Sequence, residues 1–283
     1  MKKSSLFVLL LVIALVAAAC GSNNANSGSG KEDAAGAGEK KNVKIGATAG
    51  PYSDMVSKAI QPILEEKGYK VEVVEFNDYV QPNKALASGS IDANLFQHII
   101  YLKKFAADNK LDITDIISVP TAPMGLYSNK YKSVDEIADG SELAIANDPA
   151  NLARSLLLLE DMGLIKANPD ADPATISEKD ITENPKNLKI KLLEAAQLPR
   201  VVESTDLAVV AGNFALAAGM DLTSAIQLEN MNENYRNVVA INTKDSESQF
   251  AKDLKEAVES AEFEATMDAE FQGFSKPEWM QSR

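Results

Sequence analysis

The sequence predicts an α/β protein of two lobes with mostly parallel sheets. Short apolar strands alternate with helix-length amphipathic segments from Val43 onward, which is the pattern of βαβ units. About 240 residues follow that point, long for one hydrophobic core and comfortable for two. No fixed repeat period appears, which argues against a solenoid.

The elements follow in order. Val43 to Ala47 reads as a strand, and Asp54 to Lys67 as a helix weakened by Pro62 and stopped at Gly68. Val71 to Phe76 is a second strand and Pro82 to Ser88 a short helix. Ile91 to Phe96 is extended, and Ile99 to Asp108 is helical. Ile116 to Val119 and Met124 to Tyr127 are strands. Leu143 to Ala146 opens another strand–helix unit. Leu188 to Leu193, Leu207 to Val210 and Val238 to Ile241 are further strands, and Gln249 to Phe271 is amphipathic and long enough for two helices. Ligands of such folds sit at strand carboxyl ends or between domains.

The N-terminus has a different character. Lys2 and Lys3 precede an apolar run from Leu6 to Val16, followed by Ala17-Ala18-Ala19-Cys20. This is the layout of a secretory signal over residues 1–19. The run is shorter than the about 20 residues a membrane-spanning helix needs. Cys20, the one cysteine of the chain, sits where a bacterial lipobox places the thiol that accepts a diacylglycerol. Ala17 stands where leucine is commoner. Acyl chains hold a protein at a membrane at about 0.8 kcal/mol per buried CH₂. Residues 20–42 then read as the lipidated cysteine and a flexible tether, because Gly, Ser, Asn, Ala and charge bury little apolar surface.

Composition excludes several function classes. The 28 basic against 41 acidic side chains, net −13, leave no basic footprint for nucleic acid. One histidine, and no cysteine beyond Cys20, cannot build a soft metal site. No cofactor is expected. No nucleophile elbow, P-loop or HExxH motif occurs, so no catalytic residues are assigned and an enzyme is not expected.

Four segments are candidate sites. In Asn94-Leu95-Phe96-Gln97-His98 an extended backbone puts Asn94, Phe96 and His98 on one face, with Tyr101 just beyond. A lone histidine is more often structural than functional. In Asn147-Asp148-Pro149, either polar residue can cap a helix whose first turn suits proline. Asn151 and Arg154 are then neighbours on one face. Arg154 is either a solvated or snorkelling arginine or a fork for a carboxylate near a helix N-terminus. Asn213 follows the apolar strand ending at Val210 and is either a turn residue or a strand-end ligand. Tyr79, in a loop after a strand, is either a pocket wall or core.

These segments together resemble the NlpA/MetQ family of methionine-binding lipoproteins. The resemblance rests on Asp92 to His98, Asn147 to Pro149, Asn151 to Leu159, and Glu183-Asn184-Pro185-Lys186-Asn187-Leu188-Lys189-Ile190. Gly46 to Tyr52 and Leu193 to Arg200 add to it. It implies a type II periplasmic-binding-protein fold, two α/β lobes joined by two crossing strands. Lobe one would be 43–125 plus 241–283 and lobe two 126–240, with crossings near Pro123–Tyr127 and Val238–Thr243. The resemblance further implies that Tyr79, Phe96, His98 and Tyr101 surround a ligand side chain. Arg154 would hold an α-carboxylate, and Asn151, Asn213 and Asn237 would bond the amino-acid backbone groups. Ile99-Ile100 replaces the family's Lys-Pro, which puts the aim of Tyr101 in question. The implied role is capture of L-methionine at the extracytoplasmic face of a cell membrane and delivery to an ABC permease with its ATPase subunits. A methionine-containing dipeptide, D-methionine and another apolar amino acid are alternative ligands. A surface adhesin is a remote alternative role.

Overall fold

The computed structural model describes residues 41–282. The signal segment 1–19, Cys20 and the tether up to residue 40 lie outside the described residues. Among the described residues no helix is long and apolar enough to cross a membrane.

The first pass of the chain builds four strands of one sheet. These are β1 (Asn42–Thr48), β2 (Lys70–Phe76), β3 (Ala93–His98) and β4 (Ile113–Val119). Between β1 and β2 run α1 (Pro51–Met55), a π-helical segment Val56–Ile60 and α2 (Gln61–Glu66). Pro62 brings no N–H to the helical ladder, and the wide π turn just before it absorbs the missing bond. α3 (Gln81–Ala87) precedes β3, and α4 (Ile99–Asn109) follows it directly.

The second pass forms a separate sheet. It holds β5 (Gly125–Tyr127), β6 (Glu142–Ala146), α5 (Pro149–Asp161), the small ribbon of β7 (Lys166–Ala167) with β8 (Ile181–Glu183), and β9 (Lys189–Leu193). α6 (Leu198–Val201), β10 (Leu207–Val210), α7 (Gly212–Ala217) and β11 (Gln227–Leu228) complete it. The chain then returns through β12 (Asn237–Asn242). α8 (Gln249–Glu259), α9 (Ala261–Glu270) and α10 (Glu278–Gln281) end it. The expected amphipathic stretch 249–271 is thus two helices, split at Ser260, whose hydroxyl accepts the Phe263 N–H and caps α9.

The strand orders are β2-β1-β3-β12-β4 and β11-β5-β10-β6-β9. Each sheet is parallel except around the strand next to a crossing. β12 runs antiparallel to β3 and β4, and β5 antiparallel to β10 and β11. The chain therefore crosses between the sheets over residues 120–124 and 229–236. Both crossings come earlier than the sequence suggests. Gly125–Tyr127 is already hydrogen-bonded in the second sheet. Asn237 to Ala240, expected in lobe two, belong to the first sheet because β12 pairs with β3 and β4.

Each sheet has its own core. One gathers Leu126, Leu143, Leu156, Leu159 and Val209; the other gathers Ile45, Met55, Leu64, Leu95, Leu254 and Phe263. Burial of such side chains contributes about 1.5–3 kcal/mol each. A smaller cluster of Phe96, Tyr101 and Ala150, with Tyr79 against it, joins the two lobes. Phe96 and Tyr101 come from the first lobe and Ala150 from the first turn of α5.

Candidate functional site

The eight residues that the resemblance assigns to the site line one narrow cavity between the lobes. Tyr79, Phe96, His98, Tyr101 and Asn237 enter from the first lobe, and Asn151, Arg154 and Asn213 from the second. The lining side chains close on one another and leave about 10 Å³ free, about one water's worth of space. A larger open depression of about 370 Å³, beside Val43, Tyr69, Asn242 and Phe250, lies on the first lobe alone, away from all eight residues.

The aromatic end rests on the close of β3 and the loop after β2. A register shift between Val238 and Val239 of β12 falls opposite Phe96. A bulge of this kind re-aims side chains. The strict alternation expected for Asn94, Phe96 and His98 is broken there. Asn94 does not reach the cavity; it joins Asn83 and Gln97 in a buried amide cluster, donating to Asn83 Oδ1 at 3.0 Å and accepting from Gln97 Nε2 at 3.1 Å. Phe96 and His98 do reach it. Tyr79 lies 5.8 Å from both Phe96 and Tyr101, centroid to centroid, and 4.7 Å from Phe214 of α7. The Tyr101 hydroxyl donates to the Tyr79 carbonyl at 2.9 Å. That bond fixes the aim left in question by Ile99-Ile100: Tyr101 faces the cavity and braces the Tyr79 loop.

His98 has a single tautomer. Its Nδ1 accepts the Tyr101 N–H at 3.2 Å, capping α4, so the proton sits on Nε2 and is donated to Asn151 Oδ1 at 3.1 Å. Asn151 is fixed in turn by Asp148. The α5 N-cap carboxylate accepts the Asn151 backbone N–H at 2.9 Å and its side-chain Nδ2 at 3.1 Å. Burial, with the nearby Arg154 charge, pushes the His98 pKa down to about 3, so the ring is neutral. The His98–Asn151 bond spans the two lobes.

The polar end is built on α5 and α7. Arg154 is 4% exposed, so it is neither solvated nor snorkelling. Its Nε donates to Glu229 Oε2 at 2.8 Å, and its Nη2 donates to Glu229 Oε1. Burial alone pulls the Arg154 pKa down; the Glu229 carboxylate outweighs it and holds the guanidinium charged. Arg154 also lies 5.1 Å from the Tyr235 ring centroid, and Tyr235 meets the His98 ring edge-on. Asn213 is positioned by Gly212, where a Cβ would lie 2.5 Å from the Pro123 carbonyl oxygen. Only glycine lets α7 approach the first crossing so closely. Asn213 Oδ1 accepts the Tyr79 hydroxyl at 2.6 Å. This orients the amide and leaves Asn213 Nδ2 buried with no partner. A buried orphan donor costs about 1–3 kcal/mol, and an acceptor on a ligand would satisfy it. Asn237 sits opposite His98 in the β12–β3 register, its backbone N–H on Thr121 Oγ1 at 2.8 Å.

Sequence reasoning missed Glu229, Tyr235, and the lining residues Tyr52 and Thr121. Glu229 follows a two-residue strand in a chain of 41 acidic side chains, so no local pattern distinguishes it. Tyr235, two residues before Asn237, also lacks a periodic signal. Among the described residues no group of His, Cys, Asp and Glu could hold a metal ion.

Two α/β lobes, two crossings and a polar-ended aromatic cavity between them make this a type II periplasmic-binding-protein fold. The NlpA lipoprotein family model matches residues 43–279, and the chain belongs to that family. A probable D-methionine-binding lipoprotein MetQ of Vibrio cholerae is 39% identical over 253 residues, covering 87% of this chain and 93% of the relative. The methionine-binding lipoprotein MetQ of Bacillus subtilis is 34% identical over 283 residues, covering 98% and 99%. A nutrient binding protein from Burkholderia cenocepacia, solved bound to methionine, superposes with a TM-score of 0.78 at 41% identity, covering 82% of this chain and 97% of that one.

Proposed function

We propose that this chain is the substrate-binding lipoprotein of a methionine ABC importer. It captures methionine between its lobes and hands it to a membrane permease driven by separate ATPase subunits. Cys20 carries the lipid anchor that keeps it at the extracytoplasmic face of the membrane. The reading is supported by the relatives' names, by the methionine in the Burkholderia structure and by family membership.

One observation carries it: the eight family-matched residues meet in one cavity whose ends differ in chemistry. At the aromatic end, Tyr79, Phe96 and Tyr101 suit a thioether, since sulfur–aromatic contacts contribute about 0.3–1.5 kcal/mol. At the polar end, the Arg154 guanidinium serves the α-carboxylate. Glu229 occupies Nε and Nη2, which leaves Nη1 for the ligand. Asn213, with its orphan Nδ2, and Asn151 and Asn237 serve the backbone groups. Closure pivots on residues 120–124 and 229–236, between the two sheets.

The test is a thermal-shift panel on refolded, ligand-stripped protein with L-methionine, D-methionine, glycyl-methionine, L-leucine and L-glutamate. A ligand at 100 times its Kd adds about 2.7 kcal/mol of stability, a rise of several degrees. L-Methionine should give the largest shift and glutamate none. A larger shift with the dipeptide would change the substrate but keep the receptor role. A folded, empty protein that responds to no member of the panel would end the methionine assignment.

A further inference from the structure

The charge inventory around the cavity has a consequence for which ligands it admits. Arg154 is the one cationic residue of its lining, because the lining tyrosines are neutral and His98 is held neutral. That cation is already matched. Glu229 grips it through both carboxylate oxygens, with side chains 5% and 7% exposed. Glu229 is itself locked in place: its Oε1 accepts the Met124 N–H at 2.6 Å, and its own N–H donates to the Met124 carbonyl at 2.9 Å. It therefore sits where both crossings leave the second sheet and cannot swing away without disturbing them. The charges whose fields reach the Tyr101 hydroxyl at the cavity wall, Asp148, Asp78 and Glu194, are all acidic. The closed cleft thus offers directional donors to a carboxylate but no spare positive charge.

We propose that Glu229 is a specificity-determining residue that makes the cleft accept zwitterions and refuse net anions. A zwitterionic amino acid brings no net charge into the closed cavity, whereas a carboxylate without its ammonium brings one negative charge that nothing there balances. The same balance disfavours an amino acid with an acidic side chain. The inference rests on the reading above, in which Arg154 meets an α-carboxylate.

The experiment uses ligands that share one side chain and differ in charge: L-methionine, the anion 4-(methylsulfanyl)butanoate and the cation L-methioninamide. Their affinities for the full chain in detergent and for its Glu229→Gln variant are measured by calorimetry. Glutamine keeps the shape and one acceptor for Met124 but drops the charge. The ratio of anion to zwitterion affinity should rise at least about tenfold in the variant, because a like charge close behind Arg154 is gone. Glu229→Asp, which keeps the charge, should keep the wild-type order. Equal weakening of all three ligands, or a ratio that moves toward the zwitterion, would overturn the proposal. A second measurement needs only the wild type. Its binding of the anion should take up about one proton, seen as a buffer-dependent enthalpy, while methionine takes up none. Anion binding with no proton uptake would also overturn it. A wild type that binds methionine but fails these tests sinks only the Glu229 role; one that binds none of the three sinks the amino-acid reading itself.

Discussion

Replacing Tyr79 by phenylalanine removes one hydroxyl that belongs to neither lobe's own core. Tyr79 comes from the first lobe and donates to Asn213 Oδ1 of the second at 2.6 Å, while its ring packs at a 32° tilt against Phe214, 4.7 Å between centroids. Tyr79→Phe keeps this ring contact and the ring volume. It leaves Asn213 Oδ1 without its donor in the closed protein, in addition to the Nδ2 that already lacks a partner. A buried acceptor left unsatisfied costs about 1–3 kcal/mol, which corresponds to about 5- to 150-fold in affinity if the cost falls on closure alone. Within each lobe, the hydrophobic cores are untouched. The expected outcome is therefore a Kd for methionine weakened by that factor, measured by calorimetry, with a ligand-free melting temperature within a degree or two of wild type. Loss of melting temperature with unchanged affinity would refute the reasoning, because it would make this bond part of folding rather than of closure.

Further outcomes follow from the same geometry. Arg154→Ala should abolish measurable methionine binding and lower stability by about 3–5 kcal/mol, since it leaves Glu229 buried and unpaired; chemical denaturation and calorimetry check both. Because the His98 pKa in the closed cleft is pushed down to about 3 from 6.5, the closed form is favoured fully above pH 6.5 and loses ground as pH falls toward 3. Affinity should fall up to about tenfold per pH unit in that window, and a His98→Gln variant should flatten the profile. Gly212→Ala would bring a Cβ to 2.5 Å from the Pro123 carbonyl and 2.7 Å from the Ala122 Cβ. It should displace α7 and cost methionine binding at least about tenfold, seen by calorimetry, as expected when donors shift by about an ångström.

Much of the frame was legible because period-2 and helical patterns report local burial, and burial here is mostly local. Val71 to Phe76 and Leu207 to Val210 were expected as strands and lie within β2 and β10. What stayed illegible depends on partners distant in sequence. Crossing positions are set by which strand hydrogen-bonds to which, so β12 could not be placed in the first sheet from its own residues. The bulge at Phe96 likewise exists only in the pairing of β3 with β12, which passes over Phe96, and it is why Asn94 turns into an amide cluster instead of the cavity. At the site, the residue patterns marked an arginine on an apolar helix, the single histidine and an amide after a strand, each open between a structural and a ligand role, and only the family resemblance grouped them. Glu229 was not, since its meaning comes entirely from Arg154, 75 residues away in the chain.

That dependence also explains how the site and the pivot are one object. Glu229 and Tyr235, which hold and flank the Arg154 guanidinium, both lie on the second crossing, and Met231 Sδ there takes a contact from Nη2 at 3.7 Å. On the first crossing, Met124 bonds Glu229, while Thr121 bonds the Asn237 backbone and Ala122 packs under Gly212. In the proposed function a carboxylate drawn to Arg154 would therefore pull on the two crossings between the lobes. Ligand contacts of this kind would differ between an open and a closed state, and only such differential contacts can shift a conformational equilibrium. The aromatic walls act differently. Tyr79, Phe96 and Tyr101 lie on the first lobe, and they reach the second through Asn213, Phe214 and Ala150. On the function proposed above, the side-chain end of the cavity is sealed by closure, while the carboxylate end is wired to the hinge. Truncating the ligand's side chain should weaken binding by lost contact area, and removing its carboxylate should weaken closure itself.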